Sequence, residues 1–310
     1  MQDSPHEHIA DRRTGVLLVI VAAVLWSSGG LFIKWVSVDV FTITVWRSTL
    51  AGLTIAAVFR PHLRTVFLLS PLNLGLAASY AAMLLLFVAA TKNTTAANAI
   101  FLQYTAPLYV LIFGGRFLGE RPSRIDTVAT LVAFAGMGLF FIGRLESDAM
   151  AGNLMAIGSG VSLAVFFILL RMPGCTPETR PAAMVLGNVV LVVLILPIAL
   201  ARDASALFAP GWGDAAALAF LGIVQIGLAY VVFGQGIAHV SALEASLVGM
   251  LEPVLNPLWV LLVLGERPGW WAVAGGCVII GVVAVRTVVA GRAPPPSTVR
   301  PRSIPAPVDA

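Results

Sequence analysis

Few ionisable side chains stand inside the long apolar runs of this chain, and three of them are candidates for a functional role. Glu252 lies near the middle of the stretch 241–264, directly before Pro253, and Glu244 lies near the start of the same stretch. Arg47 is placed about two turns into the stretch 40–59. An ionisable group at mid-bilayer depth costs roughly 2.5–3.5 kcal/mol on insertion scales, so it marks a solute, ion or proton path by default. A carboxyl group that must be neutral or paired to stay in an apolar site is what a proton-coupled step needs, and Glu252 is the first choice for it. Eight residues at about 100° each set Glu244 and Glu252 about 80° apart on one helix, so both can face one cavity. Arg47 has two readings: its fork matches a carboxylate, or its long stem carries the charge to the nearer interface.

Pro107 and Pro253 each remove a backbone donor within an apolar run, which kinks or breaks the helix there and frees carbonyls deep in the bilayer. Pro257 adds to this in the second case, and Asn256 beside it can satisfy a freed group. These three prolines are the candidate hinges. Uncharged polar and aromatic groups complete a candidate lining: Trp26, Ser27 and Ser28, Tyr80, Asn98, Gln103 and Tyr104, then Gln225, Tyr230 and Gln235. Each of them serves equally well as a helix-packing hydrogen bond.

Helices must carry these groups, because only closed hydrogen bonding survives in hydrocarbon. The chain of 310 residues is 59% hydrophobic and 11% charged, with a mean hydropathy of +0.94. Soluble domains are about 25% charged, so a soluble fold is excluded. About 20 apolar residues cross a bilayer, and ten such stretches are legible: 15–36, 40–59, 69–91, 94–116, 124–143, 151–171, 181–201, 212–237, 241–264 and 270–290. The first is longer than the apolar core of a signal peptide and is read as a retained helix. Residues 1–14 form an N-terminal tail, and 291–310, rich in proline, basic and polar groups, a disordered C-terminal one.

Of the nineteen basic residues, Arg47 falls within a span. With the N-terminus inside, Lys34, Lys92, Arg144, Arg202 and Arg267 fall outside and the remaining thirteen inside. The bias puts both termini in the cytoplasm. Arginine far outnumbers lysine, and alanine and glycine are abundant, a usage typical of bacterial coding, so the expected location is a bacterial inner membrane. The basic groups lie in short loops and tails, not on one face, which excludes a nucleic-acid partner. Lys34 and Arg171 read as interfacial anchors, and Trp270 and Trp271 as an aromatic belt.

The sequence repeats itself. Gly119-Glu120-Arg121-Pro122 recurs as Gly265-Glu266-Arg267-Pro268, 146 residues later, and at that offset Phe87 matches Phe233, Thr95 matches Ser241, Ala96 matches Ala242 and Pro107 matches Pro253. Earlier in each half the offset is 137, pairing Gly15 with Gly152 and Lys34 with Arg171. The unit is therefore five helices, 15–143 and 151–290. An odd unit in tandem places its second copy upside down, an architecture of secondary transporters that hold substrate between the halves near the midplane.

Ten spans in two fives, a proline in the fourth and ninth, and Gly-Glu-Arg after each resemble the EamA-type branch of the drug/metabolite transporter superfamily, over about Gly15 to Arg286. The resemblance implies amino acids, metabolites or drugs as substrates, usually moved outward. It also implies helices 1–4 and 6–9 around a central cavity, with 5 and 10 peripheral. Glu252-Pro253-Val254 is similar to a motif shared by members with different substrates, which gives Glu252 a structural reading beside the coupling one.

An enzyme would need a nucleophile with its base, or metal ligands. The histidines at 6, 8, 62 and 239 are scattered, the two cysteines lie far apart, and no Gly-x-x-x-x-Gly-Lys-Ser/Thr loop is present. The expectation is a non-enzymatic all-α membrane carrier, without cofactor or metal, exporting amino acids or related metabolites by alternating access. Efflux of drugs or cationic compounds is the alternative within the class, and a scaffold subunit the one outside it. Its partners are a small-molecule substrate and the membrane lipid bilayer, with a homodimer left open.

Overall fold

The computed structural model describes residues 5–60, 70–119, 122–140, 142, 149–264 and 269–290. Among them every regular element is helical. In chain order these are α1 (Pro5–Trp26), α2 (Gly29–Trp35), α3 (Val40–Val58), α4 (Pro71–Asn93), α5 (Ala96–Gln103), α6 (Ala106–Leu118), α7 (Arg124–Phe140) and α8 (Met150–Leu170). They continue as α9 (Thr179–Phe208), α10 (Trp212–Ala219), a π-helix (Phe220–Leu228), α11 (Ala229–Gly236), α12 (Ala242–Gly249), α13 (Leu251–Leu264) and α14 (Trp270–Ala290).

Eight helical stretches of the described residues are long and apolar enough to cross a bilayer: Asp11–Trp35, Val40–Val58, Pro71–Asn93, Met150–Leu170, Thr179–Phe208, Trp212–Gly236, Ala242–Val263 and Trp270–Val289. The protein is a multi-pass, all-α membrane protein. Two of the ten expected spans fall short by this measure. The fourth is divided into α5 and α6, and α7 is 17 residues long. The Gly-Glu-Arg-Pro segments lie outside the described residues apart from Gly119 and Pro122, as does the expected C-terminal tail.

Local sequence sets the helix ends. Asp39, Ser70, Thr95 and Ser241 each accept a hydrogen bond from the backbone N–H three residues on, at 2.8, 3.2, 3.1 and 3.1 Å. Such caps contribute about 1 kcal/mol apiece. Gly119 closes α6 at φ +69°, a conformation that glycine adopts without steric cost.

The helices pair in a pattern that crosses the chain midpoint. α3 packs on α9, α7 on α14, α4 on α8, and α1 on α11. In lipid such contacts come from close approach and not from exclusion of water. The α1–α11 crossing shows this: a Cβ on Gly236 would stand 2.9 Å from the Gly15 carbonyl oxygen. The shorter helices α5 and α6 lie against α8, and α12 and α13 against α1.

Both expected breaks are present, each a turn or less ahead of its proline. Tyr104 caps the end of α5 and Met250 the end of α12, positions 146 apart. Pro107 then sits at the start of α6 and Pro253 in the first turn of α13, where a missing N–H costs nothing, and Pro257 follows one turn on. Pro107 and Pro253 act as starters of the second helix rather than as kinks in a continuous one.

Candidate functional site

The α5–α6 break leaves the Gln103 and Leu102 carbonyls facing α8, and Gly160 makes room for them. A Cβ there would lie 2.7 and 3.0 Å from those two oxygens. From this break Tyr104 reaches across to the other one. Its ring lies against Gly249, and its hydroxyl donates to Glu252 Oε2 at 2.5 Å. The two broken segments therefore meet at a buried phenol–carboxyl contact, Glu252 being 7% and Tyr104 4% exposed.

That contact forms one wall of a cavity of about 40 Å³, which is room for about three water molecules. Seven of the residues singled out in the sequence line it: Trp26, Arg47, Gln103, Tyr104, Gln225, Tyr230 and Glu252. Met83, Leu84, Phe87, Leu163, Phe167, Ile226, Ser246 and Gly249 complete the lining.

Arg47 faces this cavity and not the interface. It is 3% exposed, and its Nη2 donates to Gln225 Oε1 at 2.8 Å. Its Nε and Nη1 are buried without a partner. Gln225 in turn donates through Nε2 to the Trp26 carbonyl at 3.1 Å, so one amide bridges α1 and α3. It does so from the middle of the π-helix, whose wider turns break the α-helical phase; such segments are rare and concentrate at functional sites. The indole Nε1 of Trp26 is also buried without a partner. The Trp26 ring lies 4.9 Å from that of Tyr230 and 5.0 Å from that of Phe233, centroid to centroid. Opposite, Gln103 Nε2 donates to Ser159 Oγ at 2.8 Å, and Ser159 to the Met83 carbonyl at 2.9 Å.

Seven singled-out residues stand elsewhere. Glu244 does not share the cavity, because the helix is interrupted at Met250 and the angular arithmetic of one continuous helix fails. It is paired with Arg12 of α1 and lies 2.6 Å from Arg286 of α14, which also pairs with Asp126 of α7 at 3.0 Å. Tyr80 is buried behind the lining, accepting from Asn188 at 3.3 Å and edge-on to Tyr230. Asn98 binds Thr94 Oγ1 and Asn153 Oδ1 at 3.0 and 2.9 Å. Gln235 is exposed. Asn256 lies by Gly30 with its Nδ2 unpartnered, so that nitrogen satisfies no freed backbone group. Of the two serines, Ser27 accepts from Trp259 Nε1 at 2.6 Å, and both back-bond within α1.

Among the partners not singled out are three small uncharged side chains. Asn153, Ser159 and Asn188 are small polar residues in apolar runs, and each joins two helices. Lys34 and Arg171, equivalent at the offset of 137, both donate to carbonyls at the end of a neighbouring helix: Thr94 at 2.8 Å and Ala238 at 3.0 Å. Among the described residues no group of three His, Cys, Asp or Glu side chains comes together to hold a metal.

Comparison with known proteins accords with this arrangement. An uncharacterized transporter of Archaeoglobus fulgidus is 27% identical over 283 residues, covering 88% of this chain and 96% of that protein. The threonine/homoserine exporter RhtA of Salmonella typhimurium is 25% identical over 272 residues, covering 81% and 83%. A solved crystal structure, 21% identical, superposes with a TM-score of 0.74 and covers 90% of this chain and 99% of the other, so the two share a fold. The model of the EamA-like transporter family matches residues 13–142 and again 150–287. The chain belongs to the EamA-like transporter family and is a transporter, not an enzyme.

Proposed function

We propose that the protein is a secondary transporter of a bacterial inner membrane, both termini cytoplasmic, which exports amino acids or related small metabolites by alternating access. In this reading α5–α6 and α7 are spans too, which makes ten in two inverted halves, 15–143 and 151–290. The observation that carries it is the meeting of the two helix breaks at Tyr104 and Glu252 on a buried cavity. The breaks recur at the sequence offset of 146, and the family model matches each half separately. Inverted repeats with interrupted helices place a carrier's site at the seam between them.

The cavity is too small for an amino acid as it stands. Transport therefore requires the halves to part on one side and then on the other, with the breaks as hinges. Glu252 is the coupling residue: a carboxyl in a buried site trades a proton with whichever side is open. Export of amino acids is supported by the name of the RhtA relative. Efflux of cationic drugs is disfavoured by the guanidinium of Arg47 in the same cavity.

The test is reconstitution in proteoliposomes with an imposed pH gradient and a panel of labelled amino acids. The reading expects gradient-driven flux of at least one of them, and its loss in Glu252→Gln. Full gradient-driven flux in that variant removes Glu252 as the coupling group. Movement of solute only when a nucleotide hydrolase is added overturns the secondary mechanism.

A further inference from the structure

Two opposite charges line this cavity without closing on each other. Arg47 and Glu252 are both buried, and no ion pair within 4.0 Å joins them, although ion pairs at that distance occur elsewhere in the protein. Glu252 spends one oxygen on Tyr104, and Arg47 spends one hydrogen on Gln225. What remains is a set of buried donors with no acceptor: Nε and Nη1 of Arg47, and Nε1 of Trp26. Leaving such donors unmet is costly in the absence of a ligand or water.

We infer that the cavity reads a zwitterion from its two ends, with Arg47 and Trp26 as the carboxylate subsite and Glu252 as the ammonium subsite. A carboxylate accepts from the edge of the guanidinium that Gln225 leaves free, in the two-pronged geometry that the fork favours. The indole N–H of Trp26, buried without a partner in a residue that lines the same cavity, supplies a further donor. The ammonium is met by the carboxylate of Glu252, and the Tyr230 ring of the same lining supplies aromatic surface for a cation. The ligand carries no net charge and cancels two buried ones. A simple acid leaves Glu252 without a counter-charge, and a simple amine leaves the Arg47 donors without acceptors. The inference rests on the reading of this cavity as the transport site and deepens it, by assigning recognition to named residues.

The experiment is binding to the purified full-length protein in nanodiscs, followed by calorimetry and thermal shift. The probes are matched trios that share one side chain: threonine, leucine and phenylalanine, each with its α-hydroxy acid and its α-amide. For at least one trio the amino acid should bind at least about tenfold more tightly than either partner, since a site built to pair a group rejects the analogue lacking it. Arg47→Gln should abolish the preference over the amide, and Glu252→Gln the preference over the hydroxy acid, with each variant confirmed as folded by monodisperse elution. Arg47→Lys, which keeps the charge and loses the fork, should recover only part of the affinity. An amide that binds as tightly as its amino acid overturns the proposal, as does Arg47→Gln with unchanged affinity for the amino acid, or absence of binding across all three trios. Those results leave secondary transport of another solute standing, whereas failure of all gradient-driven flux in proteoliposomes removes the function itself.

Discussion

At the start of α5 Asn98 lies in a neutral network with Thr94 and Asn153, while at the equivalent place in α12 Glu244 lies between Arg12 and Arg286. Asn98 and Glu244 are 146 residues apart, and each N–H is held by the cap residue of its helix, Thr95 or Ser241. The backbone device is the same at both places; the side-chain chemistry is not. The ionic network alternates in sign, Arg12, Glu244, Arg286, Asp126, and ties together α1, α12, α14 and α7. The neutral one joins α4, α5 and α8. Buried ions hold a structure together only as a complete set, because each was expensive to desolvate. Amides and hydroxyls are individually cheap to separate and to return to water. The start of α12 is thus held by an all-or-none contact, the start of α5 by contacts that can be released singly.

The sharpest way to break this contrast is Arg286→Met, which leaves Glu244 with a single partner and Asp126 with none among the cations. The expected loss is about 3–5 kcal/mol in denaturant unfolding in micelles. Replacing Arg12, Glu244 and Arg286 together by Met, Leu and Met should cost less than that single change, since Glu244 then no longer stands in the interior with an incomplete set of partners and only the partly exposed Asp126 lacks a cation. A triple variant less stable than the single one would make the network a net source of stability.

The two breaks themselves can be told apart. Gly160 faces the carbonyls of the α5–α6 break, and its counterpart at the offset of 137 is Ala23. Gly160→Ala should cost about 1–3 kcal/mol, because its Cβ meets rigid backbone at 2.7 Å. Gly138→Ala in α7, with nothing within 4 Å of its Cβ, should be neutral or stabilise by up to about 1 kcal/mol. Equal melting temperatures for the two alanine variants would show that the break has room to spare. The smallest effect belongs to Asn98→Ala, about 1 kcal/mol, since Asn153 keeps its bond from Thr94. A loss as large as that of Arg286→Met would erase the difference between the two networks.

Much of this architecture was legible in the sequence because hydropathy and self-similarity are long-range signals. The apolar runs located the helices, and the offset of 146 located both breaks. Seven cavity residues followed from one rule, that polar and charged groups inside an apolar run need a reason. The same rule misplaced Gln235, which faces outward, and Glu244, whose angular relation to Glu252 assumed an unbroken helix. It passed over Asn153, Ser159 and Asn188, whose side chains are short enough to read as spacers until a partner helix is brought alongside. The π-helix left no mark at all. Phe220–Leu228 is an apolar run of ordinary composition, and it packs closely on α3, where a Cβ on Gly222 or Gly227 would strike Leu50 or Thr54.

A π-helix is a phase slip, one more residue than an α-helix would use to climb the same height. Everything beyond it is turned by about 100° from where an uninterrupted helix would put it. Tyr230 and Phe233, which lie just past the slip, owe their place beside Trp26 to that offset. Deleting one residue from 220–228 would keep every helix and every loop, yet it would rotate Tyr230 and Phe233 away from the Trp26 ring they now meet.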